Sequence, residues 1–227
     1  MLSLNNVSKS FGGVKAVDKC AFEVEKNTIT SIIGPNGAGK TTVFNIISGL
    51  TRADAGTIKL LGKNINNLQP YKIAQHGISR TFQITKVFRN LSIKDNMLIA
   101  NKTSDSEIKN VLESVYLQKP LDTIASELSY GQQRLLEIAR ALLKPHSLLM
   151  LDEPTAGVNQ KIRQELKSIL KNLKRGGKTV LLIEHDMSFV MDVSDFIIVL
   201  NEGKVLKIGK PREIVKDKKV LEAYLGK

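Results

Sequence analysis

Residues Thr28–Ile47 read "TITSIIGPNGAGKTTVFNII". The opening, Thr28–Ile33, is β-branched and apolar, which is the composition of a buried strand. From Gly34 to Thr41, "GPNGAGKT" fits G-x-x-x-x-G-K-[ST] at every position, and a helical pattern follows. Each residue type has a physical task. Gly34, Gly37 and Gly39 let backbone N–H groups turn inward around a triphosphate without a Cβ in the way, and Pro35, Asn36 and Ala38 complete the loop. Lys40 sets a positive charge between the β- and γ-phosphates. The Thr41 hydroxyl can ligate Mg2+, and Thr42 is expected to reach the α-phosphate.

Outward from this loop the chain alternates strand and helix. Residues 2–33 read as strands, and "GTIKLLG" (Gly56–Gly62) as another. Gln69–Gln83, "QPYKIAQHGISRTFQ", reads as a short helix, a stop at Gly77 and a strand ending at Gln83. From Ser92 to about Leu128 the pattern is helical, with Ser and Asp as N-caps, so this stretch reads as a small α-helical insert. The earlier pattern then resumes. A long helix follows Gly131, Ser147–Pro154 ("SLLMLDEP") is a strand, and Asn159–Gly177 is an exposed helix with a glycine stop. Lys178–Asp186 ("KTVLLIEHD") is a strand, Met187–Ser194 a short helix, and Asp195–Gly209 a hairpin turning at Asn201–Gly203. The alternation predicts an α/β fold with a largely parallel sheet and crossover helices.

Composition narrows the function. The 227 residues are 42% hydrophobic, ample for a core, and the formal charge is +12, which suits phosphorylated ligands, nucleic acid or an anionic membrane unless the lysines only solvate helix faces. No apolar run approaches the roughly 18 residues of a spanning helix. The start, "MLSLNNVSKSF", lacks a signal peptide's apolar region, so a soluble, intracellular chain is expected. Cys20 is the single cysteine and reads as a small core residue.

A second chemical cluster lies downstream. Asp152 ends a hydrophobic strand and should emerge at the sheet's C-terminal edge, placed to hold magnesium through water. Glu153, one residue on, is placed to polarise an attacking water as general base. His185 ends another such strand and should reach a γ-phosphate, while the Gln83 amide could ligate Mg2+ or position water. Alone, His185 would read as structural, and the two acids would serve equally well as caps of the next helix. Finally, "LSYGQQRLLEIARALL" (Leu128–Leu143) opens as an anion site at a helix N-terminus does, yet the chain already holds a better phosphate loop.

Together "GPNGAGKTT", Gln83, "LSYGQQ", "LLMLDEP", "AGVNQ" and His185, in that order over nearly the whole chain, resemble the ATP-binding cassette (ABC) ATPase family. The resemblance implies a P-loop NTPase, ABC-type nucleotide-binding domain with an N-terminal antiparallel β portion. Residues 1–227 would form one domain, with a RecA-like core at about 1–84 and 132–227 and a helical subdomain at about 85–131. ATP and Mg2+ are the implied ligands, with Phe11 stacking on adenine. Two cassettes, identical or not, would pack head to tail. Ser129, Gly131 and Gln132 of one would then meet the γ-phosphate held at the other's Lys40, which gives the second anion site its ligand. Two departures stand out. Tyr130 replaces the usual signature glycine, and Asn159 replaces a common aspartate. Glu153 is intact, so hydrolysis is expected.

The wording of the motifs looks most like the ATPases of branched-chain amino acid uptake, although the segment from Gln83 to Ser129 is short for that subgroup. Urea or amide import and lipopolysaccharide export remain open, as does a soluble ABC protein acting on nucleic acid or ribosomes. Such soluble members usually carry a coiled coil or a second cassette, and this chain has neither. The resemblance implies transmembrane permease subunits as partners and a place at the cytoplasmic face of the cell membrane. It implies no direct contact with nucleic acid or solute. Phe82, Thr85, Val87, Phe88 and Leu91 are candidates for the permease-docking surface or for the insert's own core.

Overall fold

The computed structural model describes residues 1–225. The chain starts with a hairpin of β1 (Leu2–Phe11) and β2 (Val14–Val24), turning at Gly12–Gly13 where both residues have positive φ. Then come β3 (Ile29–Ile33), α1 (Lys40–Ile47), β4 (Ala55–Leu60), β5 (Lys63–Asn64), α2 (Pro70–Gln75) and β6 (Ile78–Arg80). The helical insert contributes α3 (Ile93–Ala100) and α4 (Asp105–Ser114), and α5 (Tyr130–Leu143) follows. The rest alternates: β7 (Leu148–Asp152), α6 (Gln160–Arg175), β8 (Thr179–Ile183), α7 (Met187–Val193), β9 (Phe196–Asn201), β10 (Lys204–Gly209), α8 (Pro211–Ile214) and α9 (Lys218–Leu225).

Two sheets result. One is antiparallel in the order β2-β1-β4-β5, and the other runs β10-β9-β3-β8-β7-β6. In the larger sheet β9, β3, β8, β7 and β6 are parallel and β10 closes one edge antiparallel. Both faces of this sheet are buried, which explains why its strands read as continuous apolar runs. Leu149, Leu151, Val180 and Leu182 face a core shared with α3, α4, α5 and α6. Leu148, Met150, Leu181 and Ile183 face the opposite core, shared with Phe44 of α1 and with the antiparallel sheet.

Several boundaries differ from the sequence reading. β6 ends at Arg80, not Gln83, because after Thr81 the chain leaves the ladder and turns into the insert. The sequence pattern "KTTVFNIISGL" carries the helix after the phosphate loop through Leu50, yet α1 stops at Ile47, where Ser48 returns its hydroxyl to Phe44 O and Gly49 takes φ +75. The stretch from Ser92 to Leu128 is only partly helical. Ser92 and Ser104 cap α3 and α4 as expected, but residues 115–124 run without a helix, tied back by a bridge between Ser92 and Ile124. Cys20 is fully buried, and burial pushes its thiol up to about 12. No helix among the described residues is long and apolar enough to cross a membrane.

Leu182 has no exposed surface and lies on the strand between β3 and β7. Leu182→Ala should therefore cost about 2–5 kcal/mol of stability, read as a lowered midpoint in chemical denaturation.

Candidate active site

The chain's own backbone shapes the phosphate loop from below. Gly34 has φ +152, and a Cβ there would sit 2.1 Å from Leu200 O of β9. A Cβ on Gly39 would meet Ala16 O of β2 at 2.3 Å, and Gly203 N, in the β9–β10 turn, donates to Ala38 O at 3.1 Å. Two of the motif's glycines are thus demanded by how closely the loop lies on its neighbours. Gly37, with φ +79 and open space around it, is demanded by conformation alone. Lys40 donates from Nζ to Gly34 O (2.7 Å) and Pro35 O (2.8 Å), and burial lowers its pKa while Glu153 pulls it back up.

A cleft of about 280 Å³ opens over this loop, lined by Ala16, residues 36–42, Gln83, Glu153 and His185. A larger cleft, of about 670 Å³, lies near Thr28 and Lys210 and contains none of these groups. In the smaller one, three side chains separated widely in sequence meet. Gln83 donates from Nε2 to Glu153 Oε2 at 3.0 Å, and His185 Nε2 lies 2.8 Å from Glu153 Oε1, placed to donate to it. Glu153 holds φ +47, a left-handed backbone costing about 1–3 kcal/mol for a residue with a Cβ. That turn swings its carboxylate over the cleft straight after β7.

Asp152 stands one residue earlier and behaves differently. It is 2% exposed and does not line the cleft. Arg80 donates from Nη2 to its Oδ2 at 2.9 Å and from Nη1 to Asn45 Oδ1 (2.9 Å) and Ser48 Oγ (2.7 Å) on α1. Burial raises the Asp152 pKa and Arg80 pulls it back down. The oxygen donors Thr41 and Gln83 at the cleft suit a hard cation such as Mg2+, while Asp152 lies off the cleft, paired with Arg80. No cluster of three or more His, Cys, Asp or Glu side chains able to hold a metal occurs among the described residues, and a magnesium bound mainly by substrate phosphates needs none.

The remaining sequence candidates lie outside this cleft. Phe11 ends β1, 49% exposed, with Lys9 Nζ 5.3 Å from its ring. Ser129 caps α5: its Oγ accepts from Gln132 N at 3.3 Å, and Gln132 Oε1 accepts from Ser129 N at 3.0 Å. The Gln132 side chain is thus part of a capping box. Gly131 has a packing reason of its own, since a Cβ there would lie 2.7 Å from Ile162 Cγ1 on α6. Tyr130 begins the helix, where positive φ is not needed, and its ring rests near Gly157, whose Cβ would come within 3.1 Å of it. Asn159 caps α6 by accepting from Ile162 N at 3.0 Å, so loss of the aspartate charge keeps the cap.

Four charged residues around the site escaped the sequence reading: Arg80, Arg134, Glu137 and Glu184. Glu184 is buried between the site loops, accepting Thr155 N at 2.9 Å and His185 N at 3.1 Å, and burial raises its pKa. A sequence signal existed for three of the four, and none for Arg80. Arg134 and Glu137 are opposite charges three apart on the apolar face of α5, and Glu184 prolongs an apolar strand.

Gly131→Ala tests the packing reading. Alanine gains up to about 1 kcal/mol of helix propensity, but the clash with Ile162 should cost about 1–3 kcal/mol. The single variant should melt lower than the parent, whereas in an Ile162→Ala background the same change should melt higher. Thermal denaturation of the four proteins reads this directly.

Comparisons with known proteins agree with the geometry. A family model described as "ABC transporter" matches residues 17–156. The high-affinity branched-chain amino acid transport ATP-binding protein BraF of Pseudomonas aeruginosa is 39% identical, covering 100% of this chain and 98% of its own. A crystal structure of an ATP-binding cassette of an ABC transporter in its ADP conformation superposes with TM-score 0.91 at 32% identity, covering 100% of this chain and 99% of that one. A dimeric cassette in a post-hydrolysis state with ADP and Pi gives 0.82 at 26% identity, over 93% and 99% of the two chains. With its phosphate loop, its Gln83–Glu153–His185 cluster and full-length relatives of this kind, the chain belongs to the ABC transporter family, as one of its ATPase cassettes.

Proposed function

We propose that this chain is the ATP-hydrolysing subunit of a branched-chain amino acid importer. The carrying observation is the meeting of Gln83, Glu153 and His185 over the phosphate loop. In this reading Glu153 is the general base toward water, oriented by its two hydrogen-bond partners. Lys40 would exchange the Gly34 and Pro35 carbonyls for β- and γ-phosphate oxygens, His185 would contact the γ-phosphate, and Phe11 would stack on adenine. Thr41, Gln83 and a water on Asp152 would hold Mg2+, which when bound neutralises charge on the β- and γ-oxygens. The assignment to branched-chain amino acids rests on the relatives' names.

Ser129, Gly131 and Gln132 do not line their own cleft, which supports a role toward ATP held by a second cassette packed head to tail. Similar cassettes solved as dimers support pairing with a second cassette. Since no described helix can span a bilayer, translocation would need separate permease subunits, and the chain would sit peripherally at the cytoplasmic face. A groove of about 350 Å³ lined by Phe82, Lys86, Phe88, Glu137 and Arg140 among others is our choice for their docking site. Of the other docking candidates, Val87 packs on the core, Leu91 is exposed and Thr85 is half-buried, while Ile84, unforeseen, is 78% exposed. Residues 85–131 would move as a subdomain against the core formed by 1–84 and 132–227. ATP can drive that motion only by preferring the closed dimer.

Two variants test the reading. Lys40→Ala should lose ATP affinity and turnover together. Glu153→Gln should keep ATP affinity, lose turnover by at least about 100-fold, and elute as a dimer in size-exclusion chromatography with ATP. A Glu153→Gln protein that binds ATP yet stays monomeric would remove the homodimeric arrangement. Purification with permease subunits of a different transport class would remove the solute assignment.

A further inference from the structure

Arg134 has no exposed surface at all, the largest fully buried side chain among the described residues, yet it ends on the backbone carbonyls of Gln83 and Glu153. It sits on α5, little more than one turn beyond the Ser129 cap. Its Nη1 donates to Phe82 O at 2.6 Å and to Glu137 Oε2 at 2.8 Å, and its Nη2 donates to Gln83 O at 2.8 Å and Glu153 O at 3.1 Å. Glu137 extends the grip, since its Oε1 accepts from Phe82 N at 3.4 Å and Lys86 N at 3.2 Å. One planar fork therefore holds the backbone of two loops that approach the cleft from different strands.

Neither loop has a regular ladder at these points. Gln83 lies past the end of β6, and Glu153 lies past β7 in a left-handed conformation. Their side chains meet each other at 3.0 Å, so the geometry of that contact is fixed by wherever the two carbonyls are fixed. A guanidinium can serve both at once through its rigid donor fork, which a lysine ammonium cannot reproduce. The arrangement also joins the helix that carries Ser129, the residue proposed to face the other cassette's ATP, to this cassette's own Gln83 and Glu153.

We propose that Arg134, with Glu137 as its counter-charge, is a positioning residue that sets Gln83 and Glu153 for hydrolysis from the signature helix. The inference rests on Glu153 being the proposed general base. A merely structural ion pair makes a different forecast, because replacing both members of a buried pair by apolar groups of similar size is often neutral for stability. The decisive protein is thus the double variant Arg134→Met/Glu137→Met, with Arg134→Lys beside it and Glu153→Gln as reference. Thermal melting, ATP affinity by titration, and kcat and KM with Mg-ATP are measured on the full chain.

The expected result is a double variant that folds, melts below the parent because the Phe82, Gln83 and Glu153 carbonyls lose their donor, and binds ATP within about 3-fold, with kcat lowered about 10- to 100-fold, the loss a misplacement near 1 Å produces. A folded double variant with parental kcat overturns the positioning role while leaving Glu153→Gln inactive and the proposed function intact. Parental turnover in Glu153→Gln itself overturns both. Should the double variant not fold, Arg134→Lys decides: a kcat loss of that size at unchanged ATP affinity upholds the role, and a loss matched by ATP affinity, or no loss, ends it.

Discussion

Parallel strands buried on both faces deliver their C-terminal ends to one edge, and every group at the cleft depends on that. β3 ends in the phosphate loop, β7 in Asp152 and Glu153, and β8 runs on to Glu184 and His185. Because these strands lie side by side in the order β3-β8-β7, the loops they release converge. The two cores that bury the sheet fix the strands along their whole length, so only the loops beyond them are free to take unusual backbone shapes. Glu153 at φ +47 and Gly34 at φ +152 lie at that border.

Electrostatics organises the layer beneath the cleft. Burying an ion costs several kcal/mol unless it is paired and hydrogen-bonded. Arg80 and Arg134 meet that condition in parallel ways. Arg80 joins α1 to Asp152 and lies 5.4 Å from the Phe44 ring and 5.1 Å from the Phe82 ring. Arg134 joins α5 to the carbonyls of Phe82, Gln83 and Glu153. Phe82 lies between the two cations, and the segment leading to Gln83 is pinned from both sides. Glu184 does the same for the loop after β7, accepting Thr155 N on one oxygen and His185 N on the other.

The segment Ser129–Gln132 does not line the cleft over the phosphate loop. Its Ser129 hydroxyl is held by the capping box, its glycine is packed on Ile162, and its tyrosine leans toward Gly157. These contacts hold the start of the helix within the chain's own packing. In the proposed head-to-tail arrangement this helix N-terminus would meet the γ-phosphate held by a second cassette.

How much of this was legible in the sequence depends on whether the information was local. The loop "GPNGAGKT", the strand before it, the serine caps at Ser92, Ser104 and Ser129 and the hairpin at Asn201–Gly203 follow from neighbouring residues, because turns, caps and phosphate cradles are built within a few positions of chain. The motif order then carried the family, and with it the expectation that Gln83, Glu153 and His185 share a site. Strand order, the early end of β6 and the withdrawal of Asp152 beneath the cleft needed the fold. So did the true reason for Gly131 and the roles of Arg80, Arg134 and Glu184. Arg134 finds its counter-charge three residues on at Glu137, but the Glu153 carbonyl it holds lies 19 positions away and the Asp152 carboxylate that pairs with Arg80 lies 72 away, and only the packing of the chain brings those partners within hydrogen-bond reach.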